Sequence, residues 1–469
     1  MPIGDRIGGF IRPGFNPLLA PGAPTIGTAS SGGAVAVSIA FTAPSDVGGG
    51  AITSYEAVAT DTVTAAVFTA SGSSSPISIT GLTDGQSYTT TVTAINAYGP
   101  SGMSAASNSV QAEDIAGELW AWGKNDNGAL GDGTTTDRSS PVQIGALTNW
   151  IKRTGGYNWN ISAKTDGTLW ASGSGYKGVL GQGNTTDYSS PVQIGALTDW
   201  TAEIAAGRSH FMAVKSDGTL WGLGNGNNGR LGQNNTTAYS SPVQVGALTT
   251  WAKVSCGDNS TIALKTDGTM WAWGYGAKGQ LGQNNTTSYS SPVQIGSLTT
   301  WSKIGAGEEF ASAIKTDGTL WSWGDGDQGP LGQSSTTSYS SPVQVGSDTT
   351  WSLVQGGQKS QHMLKTDGTL WGVGYNSVGQ IGNSSTTNIS AVVQIGALTT
   401  WASLSRSRKA VIARTTGKTL YSWGEGGNGA LGHNNTTSLS SPVQIGALAT
   451  WKVSAKDMGA GSSVAAIKG

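Results

Sequence analysis

Charge is scarce in this 469-residue chain: Asp, Glu, Lys and Arg make up 11% of it and leave a net charge of −1. An average soluble protein carries roughly 25%. A chain so close to neutral has no electrostatic footprint for nucleic acid or for an anionic membrane surface. Cys256 is the only cysteine, which excludes an intramolecular disulfide. No apolar run of about 20 residues is present, so no helical membrane span is expected. The opening "MPIGDRIGGFIRPGFNPLL" lacks a basic start followed by an apolar stretch, so no secretory signal is expected. The three histidines, His210, His362 and His433, stand far apart, without metal-ligand spacing. No Gly-rich loop ends in Lys-Ser or Lys-Thr, the phosphate-binding signature. These gaps point away from an enzyme and imply no metal and no cofactor.

What the chain has instead is glycine, 72 residues, and tryptophan, 18. Their distribution divides it into three. Residues 1–21 are rich in Gly and Pro but carry Ile7, Phe10, Ile11 and Phe15. That is too apolar for a free tail and too short for a core, so an arm that anchors the chain on another protein is expected. Residues 22–113 read as short strands. "AVAVSIAFTAP" alternates Val35, Val37, Ile39 and Phe41, and turn residues separate it from "ITSYEAVAT" and "SYTTTVTAINAYG". A β-sandwich follows from that spacing. Within "GLTDGQSYTTTVTAINAYGPSG", Leu82, Gly85, Tyr88, Val92, Ala94 and Asn96 resemble the signature of a fibronectin type III domain. The resemblance implies that Tyr88 forms the tyrosine corner and that Phe41 replaces the usual tryptophan of an earlier strand.

From residue 117 to 469 one phrase repeats. The first aromatic of "LWAWG" falls at Trp120, Trp170, Trp221, Trp271, Trp321, Trp371 and Tyr421, and a second tryptophan series runs Trp150, Trp200, Trp251, Trp301, Trp351, Trp401, Trp451. A period near 50 with several strand-like phrases per unit signals propeller blades. In residues 254–294, "VSCG", "IALKTDG", "GTMWAWG", "GQLG" and "SSPVQ" resemble the regulator-of-chromosome-condensation repeat. The expected fold is therefore all-β: a seven-bladed β-propeller preceded by the sandwich. "AGELWAWG" (116–123) has a strand's end without its beginning, and "SSVAAIKG" (462–469) a beginning without its end. If they pair, one blade is closed by both chain ends and no sheet edge is left open.

Periodicity assigns the tryptophans to packing, Trp159 excepted, which falls off both series and within a loop. Asp166, Asp217, Asp267, Asp317 and Asp367 each precede Gly, the mark of a tight hairpin rather than of a carboxylate ring. The "NTT" triplets are glycosylation acceptors only in a secreted chain.

The turns between strands two and three, and the links between blades, are monotonous. The loops between strands one and two, and three and four, differ in every copy. Fold maintenance does not need seven answers to one problem, so the varied face is expected to bind. Its candidates are Tyr157 and Trp159; Arg208, His210 and Phe211; Glu308, Glu309 and Phe310; and Arg406, Arg408 and Lys409. Acidic Asp258, Glu308 and Glu309 in adjacent blades, with the basic group beyond, suggest a dipolar face. The segment "GGFIRPGFNPLLAPGAPT" before the fibronectin-like domain is similar to the start of tailed-phage virion proteins. It implies a fibre, tail or capsid-surface protein assembled in the host cytoplasm, held by the arm to other virion proteins and binding a host glycan or outer-membrane component. A homo-oligomer is compatible with this, and membrane insertion is not expected. The alternatives are an extracellular or surface adhesin, and a protein-binding propeller acting as exchange factor or inhibitor.

Overall fold

Ser87–Asn96 alternates half-buried and buried positions along its whole length, as a strand with one face on a core must. The computed structural model describes residues 19–33, 35–83, 86–112, 116–454 and 463–469. It divides into two compact units, Met1–Asp114 and Ile115–Gly469. The anchoring residues Ile7, Phe10, Ile11 and Phe15 lie outside the described residues. In the first unit Thr25–Gly33, Ala36–Thr42 and Ile77–Ile79 form one antiparallel sheet, and a second is built on Ile52–Asp61 and Ser87–Asn96. Val37, Ile39, Tyr55, Tyr88 and Val92 belong to a single buried cluster. The Tyr88 hydroxyl accepts from the Thr83 N–H at 3.0 Å, the backbone contact of a tyrosine corner. Phe41 packs on Tyr55 with ring centroids 4.7 Å apart.

The second unit contains seven four-stranded antiparallel sheets among its described residues. A representative sheet runs Trp251–Cys256, Ser260–Lys265, Met270–Gly274, Tyr289–Gln294 in sequence order. One sheet departs from this. Its order is Arg138–Gln143, Glu118–Gly123, Ser463–Lys468, Trp451–Ser454, with Ala465 opposite Ala121 and Lys468 opposite Glu118. Segments 350 residues apart in sequence thus share one ladder, as the split phrases require. Neighbouring sheets touch in cyclic order, and the sheet holding Ser463–Lys468 touches both the one that follows and the one that precedes it.

Two kinds of contact join neighbouring sheets, the first of them at every junction. On the outer strands, Gly133, Gly183, Asn234, Asn284, Ser334, Ser384 and Asn434 donate their N–H to Ser189, Ser240, Ser290, Ser340, Ser390, Ser440 and Ser139 carbonyls, all at 2.7–2.8 Å. The last of these closes the circle. Every donor has φ between 56° and 80°, a conformation that glycine and asparagine adopt most readily. The "NNTT" phrases are therefore junction turns. Deeper in, Trp273, Trp323, Trp423 and Trp122 donate Nε1–H to the carbonyls of Arg230, Gln280, Gln380 and Ala430 in the neighbouring sheet, at 2.9–3.2 Å. In two of the three sheets that lack the tryptophan, those with Ser172 and Val373 in its place, other groups take the carbonyl. Ser172, Asn160 and Arg153 converge on Ala129, and Gln361 reaches Pro330 at 2.7 Å.

The first-strand tryptophans pack differently. Each meets the "LWAWG" aromatic of its own sheet edge to face, with centroids 5.2–6.3 Å apart, and their indole N–H groups find no acceptor in the structure. A lysine lies over the pair in most sheets, Lys265 being 3.7 Å from the Trp271 centroid. The Asp-Gly turns hold this stack. Asp267 Oδ1 accepts from the Thr269 N–H and hydroxyl, and Thr269 Oγ1 accepts from Trp271 Nε1; the same relay recurs at Asp166, Asp217, Asp317 and Asp367. The structural reading of those aspartates holds. Outer strands carry Pro141, Pro191, Pro242, Pro292, Pro342 or Pro442, which blunts the exposed edges.

Trp323→Phe leaves the Gln280 carbonyl unpaired in the interior, whereas Trp301→Phe removes an N–H that has no acceptor. The first should cost about 1–2 kcal/mol more than the second, read as the larger fall in thermal midpoint; the reverse ranking would contradict this account of the junction.

Candidate functional site

Three residues link strands one and two of each sheet: Gly156–Tyr157–Asn158, Gly207–Arg208–Ser209, Gly257–Asp258–Asn259, Gly307–Glu308–Glu309, Gly357–Gln358–Lys359 and Ser407–Arg408–Lys409. The leading glycine leaves no room for a Cβ in any of the five loops that have it; on Gly257 it would lie 2.5 Å from the Gly307 carbonyl and on Gly357 2.5 Å from the Arg406 guanidinium. A Cβ on Gly307 would lie 2.1 Å from Phe310, on Gly207 2.2 Å from His210, and on Gly156 2.2 Å from Trp159. Ser407 is tolerated where the residue three further on is Ala410. The seventh loop falls outside the described residues. Adjacent loops are joined through their backbones: Tyr157 N–H to Arg208 O, Arg208 N–H to Asp258 O, Glu308 N–H to Gly357 O, Gln358 N–H to Arg408 O, at 3.0–3.3 Å.

This geometry separates the candidates. Trp159, at 3% exposure, opens the strand Trp159–Lys164 instead of lying in a loop, and its Nε1 donates to the Arg208 carbonyl. His210, Phe211, Phe310 and Arg406 are likewise buried. They were expected on the surface because each lies within two residues of a polar loop, but each already belongs to a strand packed against an adjacent sheet. His210 Nε2 lies 3.1 Å from Thr261 Oγ1, and burial holds its pKa well below 6.5, so it stays neutral. Arg406 donates to the carbonyl and hydroxyl of Ser360, and burial lowers it to about 9. Tyr157 and Arg208 are exposed, while Glu308, Glu309, Arg408 and Lys409 are half-buried.

The expected charge separation is largely cancelled. Arg408 Nη2 reaches across the intervening Gln358 loop to Glu308 Oε1 at 3.4 Å, and Lys409 lies 4.0 Å from Glu425. Around a small cavity of about 40 Å³ these loops bring Asp258, Glu308 and Arg408 together. Burial, then the neighbouring Glu308, raises the Asp258 pKa to about 6, against the pull of Arg408, Arg208 and Arg230. Burial likewise raises Glu309.

Beside this mouth lies a groove of about 540 Å³, lined by Tyr157, Trp159, Tyr176, Arg208 and Arg230 with the amides of Asn158, Asn225 and Asn259. Tyr157 and Tyr176 are 43% and 60% exposed. Lys124 Nζ and the Arg208 guanidinium sit 5.4 and 5.6 Å from the Tyr157 centroid. The fold thus gathers Tyr157, Trp159 and Arg208, as expected, and adds Tyr176, Arg230, Asn225 and Asn259, which the sequence reading missed. One signal was available. At the Tyr176 position the other copies have Asp126, Asn227, Ala277, Asp327, Ser377 and Gly427, so an aromatic there answers no common structural demand. Among the described residues no group of three His, Cys, Asp or Glu could hold a metal ion, and no helix is long and apolar enough to cross a membrane.

The sequence profile of the Regulator of chromosome condensation (RCC1) repeat matches residues 116–161, 166–214, 217–264, 267–314, 317–360 and 419–466, more than half of the chain. A second profile of the same repeat matches 202–230 and 251–280. Human WBSCR16 is a similar solved structure, with a TM-score of 0.67 at 18% identity over 75% of this chain and 99% of that one. Yeast RCC1 (Prp20), solved bound to Kap60, gives 0.66 at 18% over 75% and 89%. Prp20p from Saccharomyces cerevisiae, described with its binding properties to Gsp1p and histones, gives 0.65 at 19% over 75% and 92%. At such identities the likeness is one of fold, an RCC1-type propeller.

Because the folded-state pKa of Asp258 lies above its ordinary 3.8, the native state holds that proton more tightly than the unfolded chain. The associated stability is present below pH 4 and lost as the pH rises towards about 6. Asp258→Asn should therefore stabilise the protein at pH 7.5 relative to its effect at pH 4, by at most about 3 kcal/mol. Equal effects at both pH values, measured by thermal denaturation, would contradict the shift.

Proposed function

We propose that this chain, which belongs to the Regulator of chromosome condensation (RCC1) repeat family, is a non-enzymatic binding protein that engages a protein partner with the face formed by its strand one-to-two and three-to-four loops. One observation carries the reading. At the position after each leading Gly or Ser the residues are Tyr157, Arg208, Asp258, Glu308, Gln358 and Arg408, an aromatic, two bases, two acids and an amide, on loops whose backbones are hydrogen-bonded into two runs of three. The backbone is constrained and the side chains are not, which is what a pre-organised recognition surface needs. Tyrosine and arginine are also the residues that dominate protein interfaces. Protein partners among proteins of similar fold, Kap60, Gsp1p and histones for yeast RCC1, lend this reading weight.

The finer architecture we propose is a seven-bladed propeller behind a fibronectin type III-like sandwich. Exchange or inhibition of a nucleotide-binding protein would be special cases of binding through the same face. The narrower role as a phage virion protein or adhesin that turns this face to a host cell rests on residues 1–21 and the sequence of the N-terminal unit. The similar structures favour the protein-binding reading over it.

Photo-crosslinking residues placed at Glu309 and Lys409 should give discrete adducts with one partner protein, identifiable by mass spectrometry, while the same residues at Asp267 and Asp317 on the opposite turns should give none. Adducts from the turn positions alone would put the interface on the wrong face.

A further inference from the structure

Arg230 is 4% exposed, and among the described residues no carboxylate forms an ion pair with it or with the neighbouring Arg208. Its Nε donates to the Asn227 carbonyl at 2.9 Å, and its Nη1 to Ser209 Oγ and the Asp258 carbonyl at 3.3 and 3.4 Å. Burial holds its pKa down to about 10; Asp258 opposes the shift and Arg208 adds to it. Buried cations without counter-ions are unfavourable and are normally paired. Arg153 shows what a purely structural buried arginine looks like here: its guanidinium donates to the carbonyls of Ala129 and Leu130. Arg230 instead lines an open groove together with a second guanidinium, Arg208, and two exposed tyrosines, Tyr157 and Tyr176.

We propose that this groove binds an anionic saccharide unit, with the anionic group on Arg208 and Arg230 and the sugar ring against Tyr157 or Tyr176. The guanidinium fork suits carboxylate, phosphate or sulfate equally. Amides of Asn158, Asn225 and Asn259 supply both donors and acceptors for sugar hydroxyls. An acidic peptide is the less favoured occupant, because no aliphatic side chain lines the groove, and peptide anchors settle in well-packed apolar pockets. The groove shares Tyr157 and Arg208 with the loop rim, so a saccharide here and a protein partner there would contend for those two side chains, while calorimetry and crosslinking read the two occupants separately.

Titration calorimetry of the full chain with trigalacturonate, maltotriose phosphate, neutral maltotriose and hexaglutamate tests it. At least one of the two anionic sugars should bind, the tighter one naming the anion. Its affinity should fall about tenfold or more in Arg208→Ala, and clearly in Tyr176→Ala. Both side chains are exposed, so the thermal midpoint of each variant should stay unchanged. Binding of neutral maltotriose as tight as that of the anionic sugars would overturn the role of the arginines. Hexaglutamate binding as tightly as the sugars would assign the groove to acidic protein segments. No binding of either anionic sugar to folded protein would overturn the proposal outright, leaving the crosslinks at Glu309 and Lys409 as a separate matter.

Discussion

A single backbone hydrogen bond, repeated around the second unit, sets the terms for everything else there. In each sheet a residue with left-handed backbone donates its N–H to the outer strand of the next, and Asn434 donates to Ser139 to join the last sheet to the first. The bond forms only if the turn is left-handed, which confines that position to Gly, Asn or Ser in this chain. It also fixes how far apart successive sheets sit, so the interior must be filled to match. Tryptophans fill it, and in four sheets an indole N–H satisfies a carbonyl that the junction buries. In the sheet with Ser172 in the tryptophan's place, the substitute is a cluster of three polar side chains around Ala129. In six of the seven sheets the carbonyl is thus paired, and the residue that pairs it varies.

This arrangement divides labour between the two sets of connections. The Asp-Gly-Thr turns are locked because one aspartate, one threonine and one tryptophan form a relay within each of five copies. Change any member and the stack of aromatic pair and lysine loses its support. The opposite loops satisfy their fold requirements with a small residue at the start and backbone bonds from loop to loop. Nothing in that geometry depends on the next side chain. Variation there has a low structural cost, and the chain places tyrosine, arginine and paired carboxylates at those positions.

Much of this was legible in the sequence, because a period near 50 with two tryptophan series leaves few other folds. The split strand was legible too, since a half-phrase near residue 117 needs the half-phrase at the C-terminal end. Burial at the loop margins was not. Trp159, His210 and Phe310 adjoin polar loop residues in sequence, yet each is the first residue of a strand wedged against the next sheet, a difference of one position that periodicity does not resolve. Arg406 was misplaced by the same single step. The charge pattern failed for another reason: Arg408 crosses over one loop to Glu308, and linear spacing does not reveal which side chains span a mouth. The groove combines loops from successive repeats, so Tyr176 and Arg230 join Tyr157 only in three dimensions.

Closure of the ring by residues far apart in sequence is the claim on which the rest stands, and amide hydrogen exchange tests it residue by residue. The account predicts that the amides of 463–468 and 118–123 are as strongly protected as those of Ser260–Lys265 and Met270–Gly274, since all lie in the middle of four-stranded sheets. Rapid exchange at 463–468 beside slow exchange in 260–274 would mean that the last strand frays, the circle is open, and the two halves do not make one sheet.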